Sequence, residues 1–178
     1  MKHAINLLLV SAFLVKALSV SAQEGSDYIR KSVYLELLGN GLAYSVNYDM
    51  RFKKNQQDGL GFRIGAGGFS ITGYDSDGVE VKGSLLTFPI ELNYLIGKKR
   101  SALETGIGVS PLFLGAKIEV DDEKIGGTGS GANVFLNLGY RFQPLKNGFT
   151  ARINWTPIIN SGGFIPAWFG ISLGYSFR

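Results

Sequence analysis

The chain has 178 residues, a formal charge of +4, 25 glycines and an aromatic content of 12%. It contains no cysteine, which excludes disulfide bonds and lipoprotein processing, and its lysines and arginines form no patch interleaved with aromatics of the kind that binds nucleic acid. No stretch beyond residue 22 is apolar enough for a membrane helix, so such a chain could cross a bilayer only as a closed barrel of strands.

The N-terminal segment has the pattern of a secretory signal peptide. Lys2 precedes an apolar run over residues 7–15, and small residues follow at the end of the segment. An N-terminal membrane anchor is the alternative, but Lys16 ends the run well short of the ~20 residues that a spanning helix needs. We therefore predict that residues 1–22 are removed, which leaves one domain, residues 23–178, with a formal charge of +2.

Eight segments of this domain alternate between large apolar residues and small or polar ones. Alternation with a period of two predicts β-strands with two different faces. The segments are residues 33–38, 42–52, 60–67, 86–96, 103–110, 133–142, 149–156 and 168–177. An even number of such strands is what a closed bacterial membrane barrel requires.

The first two strands are joined by a strong turn signal, Gly39-Asn40-Gly41. Asn-Gly favours a two-residue type I′ hairpin turn. That turn would set Glu36 opposite Ser45, with both side chains on the inward face. Leu38, at the end of the first strand, is predicted to face inward as well.

The connections differ in length at the two ends of the predicted sheet. Three are short, at residues 53–59, 98–100 and 144–148, and three at the opposite end are long, at residues 70–83, 116–131 and 160–167. Short periplasmic turns and long external loops are typical of outer-membrane barrels. The sequence therefore predicts an all-β fold, an eight-stranded antiparallel up-and-down transmembrane β-barrel in the cell outer membrane, with both termini in the periplasm. A bulge is expected near Pro89, because proline removes a donor from a sheet without free edges.

A soluble barrel would alternate in the same way, with its apolar residues turned inward around a ligand. Lysine placement favours the membrane alternative. All nine lysines beyond residue 22 lie in predicted turns, loops or strand ends, whereas a strand surface that faces water would carry some of them. Aromatic residues gather near the predicted periplasmic end, as a membrane girdle would: Tyr48, Phe52, Phe62, Tyr94, Tyr140, Phe142, Phe149 and Phe177.

The final strand alternates large apolar residues with glycine and serine. Its aromatic-x-aromatic ending resembles the terminal signal by which the barrel-assembly machinery recognises outer-membrane barrels. The resemblance implies that Gly170, Leu173, Tyr175 and Phe177 form an assembly signal. Arg178 departs from the pattern, since such barrels usually end on the aromatic residue itself.

Four carboxylates and four guanidiniums are predicted to face the lumen: Glu36, Asp49, Arg51, Arg63, Glu91, Glu104, Arg141 and Arg152. Charges in a narrow interior of low dielectric persist only when they are paired. The predicted register places Asp49 directly opposite Arg63, which avoids a clash between like charges. An eight-stranded barrel is only wide enough for side chains to fill. We therefore expect these residues to form a polar plug in the periplasmic half of the lumen.

The outer half of the predicted lumen is lined mainly by small residues, among them Gly65, Gly106 and Gly108. One interpretation is that these glycines relieve crowding and allow curvature in a small barrel. The other interpretation is a shallow pocket that opens outward.

Beyond residue 22 the chain has neither histidine nor cysteine. The histidine base of outer-membrane lipases, lipid A deacylases and omptin-type proteases is therefore missing, as are the usual ligands of transition metals. We predict no catalytic residues, no metal site and no cofactor. The acidic segments 75–78 and 121–123 are interpreted as solvated loops, with weak divalent-cation binding or bridging to lipopolysaccharide as the alternative.

Six short motifs that follow one another along the chain carry a family resemblance: Tyr34–Leu37 (YLEL), Ser45–Asp49 (SVNYD), Asn93–Gly97 (NYLIG), Leu103–Gly108 (LETGIG), Gly139–Pro144 (GYRFQP) and Gly170–Phe177 (GISLGYSF). Together they resemble small eight-stranded outer-membrane proteins of the OmpA/OmpX type, and more specifically uncharacterised outer-membrane barrels of Bacteroidota. The resemblance implies a non-enzymatic barrel that is embedded in outer-membrane lipid and lipopolysaccharide and inserted by the barrel-assembly machinery. It supplies no catalytic residues.

The predicted function is support of the envelope, or contact with an unidentified surface ligand or envelope complex through external loops, with the lumen plugged. The alternative is a narrow channel or transporter for small or hydrophobic molecules. A third hypothesis is an accessory subunit of a larger outer-membrane complex.

Overall fold

The computed structural model describes residues 28–178 with the exception of residues 55, 75–78, 98 and 121–122. The predicted signal peptide and nearly all of the two acidic segments therefore lie outside the described residues. The described fold consists of strands and one 3₁₀ turn, Gly39–Gly41. The strands are β1 (Lys31–Leu38), β2 (Tyr44–Arg51), β3 (Gly59–Tyr74), β4 (Glu80–Thr87), β5 (Ile90–Ile96), β6 (Ser101–Val120), β7 (Glu123–Phe142), β8 (Gly148–Trp155), β9 (Ile158–Asn160), β10 (Gly163–Ile165) and β11 (Phe169–Phe177).

The strands close into an antiparallel ring of eight positions. β1 pairs with β2 on one side and with β11 on the other, and the ring continues through β3, β6 and β7. β4 and β5 share the position between β3 and β6, and β8 and β9 share the position after β7. The predicted eight-stranded barrel is confirmed. We call the end that carries the chain termini the terminal end, and the opposite end the hairpin end.

The two registers predicted for the first strands are confirmed. Glu36 lies opposite Ser45 across β1 and β2, and Asp49 lies opposite Arg63 across β2 and β3. Because opposite residues share a face of the sheet, these pairs place all four side chains on the lumenal side.

The bulge expected near Pro89 is wrong. β3 keeps one register across the break between β4 and β5, and the Gly65 N–H donates to the Pro89 carbonyl at 2.8 Å. On the other side, the Phe88 N–H donates to the carbonyl of Pro111 at 3.0 Å. Proline removes one donor from the ladder here, but its carbonyl still pairs, so no extra residue is needed.

The connection from β1 to β2 is not the predicted two-residue type I′ turn. The Leu38 N–H donates to the Ala43 carbonyl at 2.7 Å, and the 3₁₀ turn Gly39–Gly41 lies between them. Leu38 and Leu42 have φ angles of 59° and 70°, so the strand alternation is interrupted on both sides of the turn. Leu38 is consequently 50% exposed instead of facing inward, whereas the three turn residues are buried. The turn is folded into the mouth of the barrel.

The outer surface of the ring is apolar and its interior is polar. In β5, Ile90, Leu92 and Tyr94 are exposed, while Glu91 and Asn93 between them are buried. Among the described residues, buried polar and charged side chains outnumber buried apolar ones, the reverse of the usual interior of a soluble protein. No helix in the described part of the chain is long and apolar enough to cross a membrane.

Phe177 departs from the predicted aromatic girdle. Its side chain is only 8% exposed, whereas that of Phe149 is 55% exposed. The Arg30 N–H donates to the Phe177 carbonyl at 3.2 Å, so the pairing between β1 and β11 continues one residue before Lys31. The segment before β1 therefore lies alongside the end of β11, where Phe177 is shielded.

The loops predicted at residues 70–83 and 116–131 are wrong, because most of their residues belong to hairpins. β3 pairs with β4, and β6 with β7, almost to the tips of both connections. β6 and β7 have 20 residues each, which corresponds to about 66 Å, whereas ~9–11 residues suffice to cross a bilayer. The predicted loop at 160–167 likewise contains the short β9–β10 pairing. We call the part beyond the ring the projecting sheet: residues 68–74, 80–86, 112–120 and 123–132.

The projecting sheet reverses the polarity of the ring. Its inward face, which continues the lumenal face, carries apolar side chains that are 36–64% exposed: Phe69, Ile71, Val81, Leu114 and Ile125. Its outward face carries mostly glycine, serine, threonine and lysine. A sheet with water on both sides is not bound to the alternation that lipid imposes, which explains why the sequence pattern predicted loops here.

Candidate functional site

Strand alternation brings all eight predicted charged residues into the lumen. Each occupies a position between residues whose side chains face outward, so the local sequence pattern determines its face. Each is at most 3% exposed. They separate into two clusters along the barrel axis.

The cluster at the hairpin end, the turn cluster, consists of Glu36, Arg63 and Glu91. Arg63 forms a fork with Glu36, with Nη1–Oε1 and Nη2–Oε2 distances of 3.3 and 3.0 Å, and its Nη1 lies 3.2 Å from Oε2 of Glu91. Asn137 donates to Oε1 of Glu91 at 2.7 Å, and Asn40 donates to Oε2 at 3.1 Å. One guanidinium therefore bridges two carboxylates, and side-chain amides hold the acid of β5 from the other side.

The cluster at the terminal end, the terminal cluster, has five members: Asp49, Arg51, Glu104, Arg141 and Arg152. Arg141 joins the two acids, with Nη1 2.9 Å from Oδ1 of Asp49 and Nη2 2.6 Å from Oε1 of Glu104. Arg51 lies 2.7 Å from Oδ2 of Asp49, and Arg152 lies 3.5 Å from Oε1 of Glu104. The Asn93 amide donates to Asp49 at 2.7 Å and also contacts Arg51.

The two clusters carry opposite formal charges. The turn cluster has two carboxylates and one guanidinium, and therefore −1, while the terminal cluster has two carboxylates and three guanidiniums, and therefore +1. The ring of Tyr34 lies between them, with its centroid 3.7 Å from the guanidinium carbon of Arg152 and 5.9 Å from that of Arg63. Cation–π contacts thus connect the clusters into one network.

Ion pairs in the lumen do not simply follow cross-strand pairing. Arg141 lies directly opposite Arg152, a like-charge arrangement that is unfavourable by itself. Glu104 accepts hydrogen bonds from both, at 2.6 and 3.5 Å. Asp49 lies opposite Arg63 as predicted, but the ion pairs of Arg63 are with the acids of the turn cluster. The long side chains reach across the narrow interior instead.

The β1–β2 turn lies over the turn cluster at the hairpin end. The Asn40 N–H donates to Oε2 of Glu36 at 3.2 Å, and the indole N–H of Trp168 donates to the carbonyl of the first turn residue at 2.8 Å. The Thr87 hydroxyl donates to the carbonyl of the last turn residue at 3.1 Å. The network therefore extends beyond the half of the lumen in which the sequence placed the plug.

The glycines at the hairpin end of the lumen make room for side chains from facing strands. A Cβ at Gly108 would meet the ring of Phe135, and a Cβ at Gly106 would meet the carboxylate of Glu91. Gly65 is in the same way covered by the amide of Asn47. The space that these glycines leave is filled, which supports the interpretation that they relieve crowding.

Three residues that fill the lumen or contact its charged network were not predicted from the sequence. Asn40 was interpreted only as a turn residue, although it bonds to both acids of the turn cluster. The position of Phe135 could have been predicted, because it lies at the inward position between Asn133 and Asn137 in the alternating pattern. Its side chain is fully buried. The role of Trp168 could not have been predicted from the sequence, since it contacts a turn that is far away along the chain.

The predicted assembly-signal residues lie apart from the charged network. Leu173 and Tyr175 face outward on β11 and are exposed, while Phe177 is buried. Gly170 faces inward, where a Cβ would stand 2.8 Å from the Cα of Gly39. A glycine at this position thus allows the β1–β2 turn to fold into the mouth.

The lumen holds fixed charges in place, and each carboxylate of the network is engaged by at least one guanidinium. Within the described ranges, no three acidic or histidine side chains are grouped so that they could hold a metal ion. The chemistry that the ion pairs support is mutual neutralisation of the buried charges.

A solved structure with the same architecture is that of Ail, the attachment invasion locus protein of Yersinia pestis, in complex with the heparin analogue sucrose octasulfate. The two chains are 12% identical, and the match covers 84% of this chain and 99% of Ail with a TM-score of 0.56. The fold is that of the small outer-membrane barrels. At this level of identity the likeness concerns the fold alone.

Two further barrels match with lower TM-scores. The N-terminal β-barrel domain of Pseudomonas aeruginosa OprF is 14% identical, with 84% of this chain and 96% of that chain covered and a TM-score of 0.44. A major outer membrane protein from Thermus thermophilus is 15% identical, with 84% and 98% covered and a TM-score of 0.49. No protein-family model and no curated protein sequence matches the chain. The narrower resemblance to Bacteroidota barrels stays a prediction.

Proposed function

We propose that the protein is a non-enzymatic integral outer-membrane barrel whose lumen is closed by a charge-paired plug. The observation that carries the proposal is a network of eight buried charges inside a ring with an apolar exterior. Such an exterior suits lipid and outer-membrane lipopolysaccharide better than water. Interlocked arginines and carboxylates, covered by the β1–β2 turn, occupy the space through which a solute would have to pass.

The orientation and the route to the membrane belong to the same proposal. Short turns at the terminal end and long hairpins at the other support periplasmic termini and an external projecting sheet. Residues 1–22 would be removed during export, and the assembly machinery would engage the final strand. The mass of the protein purified from outer membranes, compared with that of residues 23–178, tests the cleavage site.

The projecting sheet supports a role in surface contact. Its exposed apolar inward face is of a kind that usually marks an interaction site. Ail, which shares the fold, was solved in complex with a heparin analogue, so an external ligand is compatible with a barrel of this architecture. Co-purification from native membranes tests the further hypothesis that the protein is an accessory subunit of an envelope complex.

Planar-bilayer recordings test the plug. We expect no stable open channels from the wild type, because both clusters fill the lumen. The double variant Arg63→Gln, Arg152→Gln removes a guanidinium from each cluster and is expected to open transiently. The variant Lys99→Gln, Lys146→Gln, which removes two exposed turn charges, is the matched control and should stay closed. Stable channels in the wild type would contradict the proposed plug.

A narrow transporter for hydrophobic molecules is the second candidate. It is favoured by one observation, the exposed apolar residues Ile71, Leu114 and Ile125 on the projecting sheet at the hairpin end. Uptake of a hydrophobic dye into vesicles that contain the wild type, faster than into empty vesicles, would support the transporter and contradict the plug.

A further inference from the structure

The outward face of the projecting sheet changes from apolar to cationic over three successive rows. Residues paired across antiparallel strands share a face, so each row can be followed across β4, β6 and β7. The first row, next to the apolar outer surface of the ring (the apolar belt), includes Leu86 and Phe113. The second includes Ser84 and Thr128, and the third includes Lys82 and Lys117. Along the barrel axis, this face therefore changes from apolar near the ring to positively charged further out.

Two adjoining cavities follow this gradient. The one beside the apolar belt has a volume of about 700 Å³ and is lined by Leu86 and Phe113, among others. The one above it has a volume of about 470 Å³ and lies beside Lys82 and Lys117. Thr128 and the rest of the second row line both cavities, so the two form one continuous depression.

The lysine row places two like charges next to each other. Lys82 and Lys117 lie directly opposite each other, which is unfavourable for like charges. Glu80 forms an ion pair with Lys82, so the three residues together keep one positive formal charge. In the next row outward, Glu80, Glu119 and Lys124 occupy successive paired positions on β4, β6 and β7. An anion bound between the two opposed lysines would offset their repulsion.

We propose that this depression binds the phosphorylated head group of an outer-leaflet lipid. The opposed lysines hold the phosphate, the small second row accommodates the head group, and the lower cavity receives the beginning of the acyl chains. The inference rests on the proposed outer-membrane location and specifies where that membrane is recognised.

The geometry favours a lipid over a free anion. Rows two residues apart are separated by about 6–7 Å along a strand, so the lysine row stands about 13 Å beyond the row that ends the apolar belt. With strands tilted by about 35–45°, this is about 10 Å along the membrane normal, slightly more than the head-group layer of about 5–8 Å, and the long lysine side chains reach back over that difference. The lower cavity is continuous with the lipid-facing surface through Leu86 and Phe113. A free anion would use only the upper cavity.

Native mass spectrometry of the full-length folded protein, released from detergent micelles, measures the binding of diphosphoryl lipid A against phosphatidylcholine. The variant Lys82→Gln, Lys117→Gln is expected to weaken lipid A binding about fivefold to thirtyfold, since each lysine near a membrane contributes modestly to the attraction of anionic lipid. The variant Lys99→Gln, Lys146→Gln changes the charge equally at the terminal end and should bind like the wild type.

Two further variants separate a shaped site from diffuse charge. Thr128→Trp fills the part shared by both cavities without changing the charge, and we expect a loss on the order of tenfold. Glu80→Gln removes the carboxylate that competes for Lys82 and should tighten binding, by about fivefold at most.

Four results would overturn the inference. Equal losses of lipid A affinity in the two lysine double variants would indicate diffuse electrostatic attraction. An unchanged affinity of Thr128→Trp would show that the cavity does not contribute to binding. Displacement of lipid A by inorganic phosphate or sucrose octasulfate would indicate a site for soluble anions. A wild type that inserts into vesicles but does not prefer lipid A would contradict this inference alone, whereas failure to insert would contradict the proposed function as well. Heat-modifiable migration on a gel serves as the folding control for every variant.

Discussion

At the scale of single residues, the lumenal network contains buried charged groups such as Arg63. This side chain is fully buried and lies between Glu36 and Glu91, with which it forms ion pairs at 3.0 and 3.2 Å. An arginine fork in such a place neutralises two acids that would otherwise repel each other in a low dielectric. The contribution of Arg63 to stability is therefore best measured by removing it, which leaves the two carboxylates without their counter-charge.

Arg63→Ala is expected to lower the free energy of unfolding by about 3–5 kcal/mol, because two buried carboxylates lose their counter-charge. Urea titration of the refolded barrel in lipid vesicles, followed by tryptophan fluorescence, measures the change. Arg100→Ala, at an exposed turn position, is the control and should shift stability by about 0.5 kcal/mol or less.

The triple variant Arg63→Met, Glu36→Gln, Glu91→Gln removes the whole set of charges and should recover most of the loss. If Arg63→Ala were no less stable than Arg100→Ala, the turn cluster would not be a coupled ionic group.

At the scale of elements, the β1–β2 turn interrupts the strand alternation and lies over the turn cluster. Leu38 and Leu42 adopt positive φ angles, which are unfavourable for residues with a Cβ. Hydrogen bonds from Thr87 and Trp168 to the turn carbonyls hold it inward. The inward position is thus maintained by partners on other strands against a local backbone cost.

Trp168→Phe is expected to loosen this turn, since it removes the indole N–H that donates to Gly39 at 2.8 Å. Amide hydrogen exchange at Leu38 and Asn40 should accelerate about threefold to tenfold, in line with the loss of one hydrogen bond. Trp155→Phe removes an indole hydrogen bond to the Pro166 carbonyl instead and should leave exchange in the turn unchanged. Equal acceleration in both variants would mean that Trp168 does not hold the turn specifically.

At the scale of the whole molecule, the structure has two parts of opposite polarity. The ring has an apolar exterior and a charged interior, whereas the projecting sheet has an apolar inward face and a polar outward face. The inversion occurs within continuous strands, β3, β6 and β7. We therefore expect the ring to remain stable without the projecting sheet, although the same strands run through both.

Replacement of residues 71–83 and of residues 116–127 by Asn-Gly turns would join Ser70 to Ser84 and Gly115 to Thr128, pairs that already lie opposite each other. We expect the shortened barrel to keep its heat-modifiable migration and to lose about 1 kcal/mol or less, because the removed segments lie outside the ring. The same variant should lose the preference for lipid A. A failure to refold would show that the projecting sheet stabilises the barrel.

The faces of the ring strands could be predicted from the sequence, because alternation is a local property of each strand. Glu91 and Asn93 face inward because their neighbours must face outward. The register of β1 against β2 was also predictable, although the turn between them was not, since several turn geometries preserve the same pairing.

The ion pairs of the lumen could not be predicted, because they depend on how the strands are arranged around the ring. Asp49 lies opposite Arg63 in the sheet, yet ring closure brings Arg141, 92 residues away, to its carboxylate. A long side chain chooses its partner across the lumen, and that distance depends on the closure of the whole ring, not on any local pattern. The projecting strands escaped prediction for the converse reason. Outside a bilayer, the two faces of a strand need not differ in polarity, so alternation is not enforced. These segments are extended because they pair with neighbouring strands, and that pairing cannot be seen in the sequence of one strand.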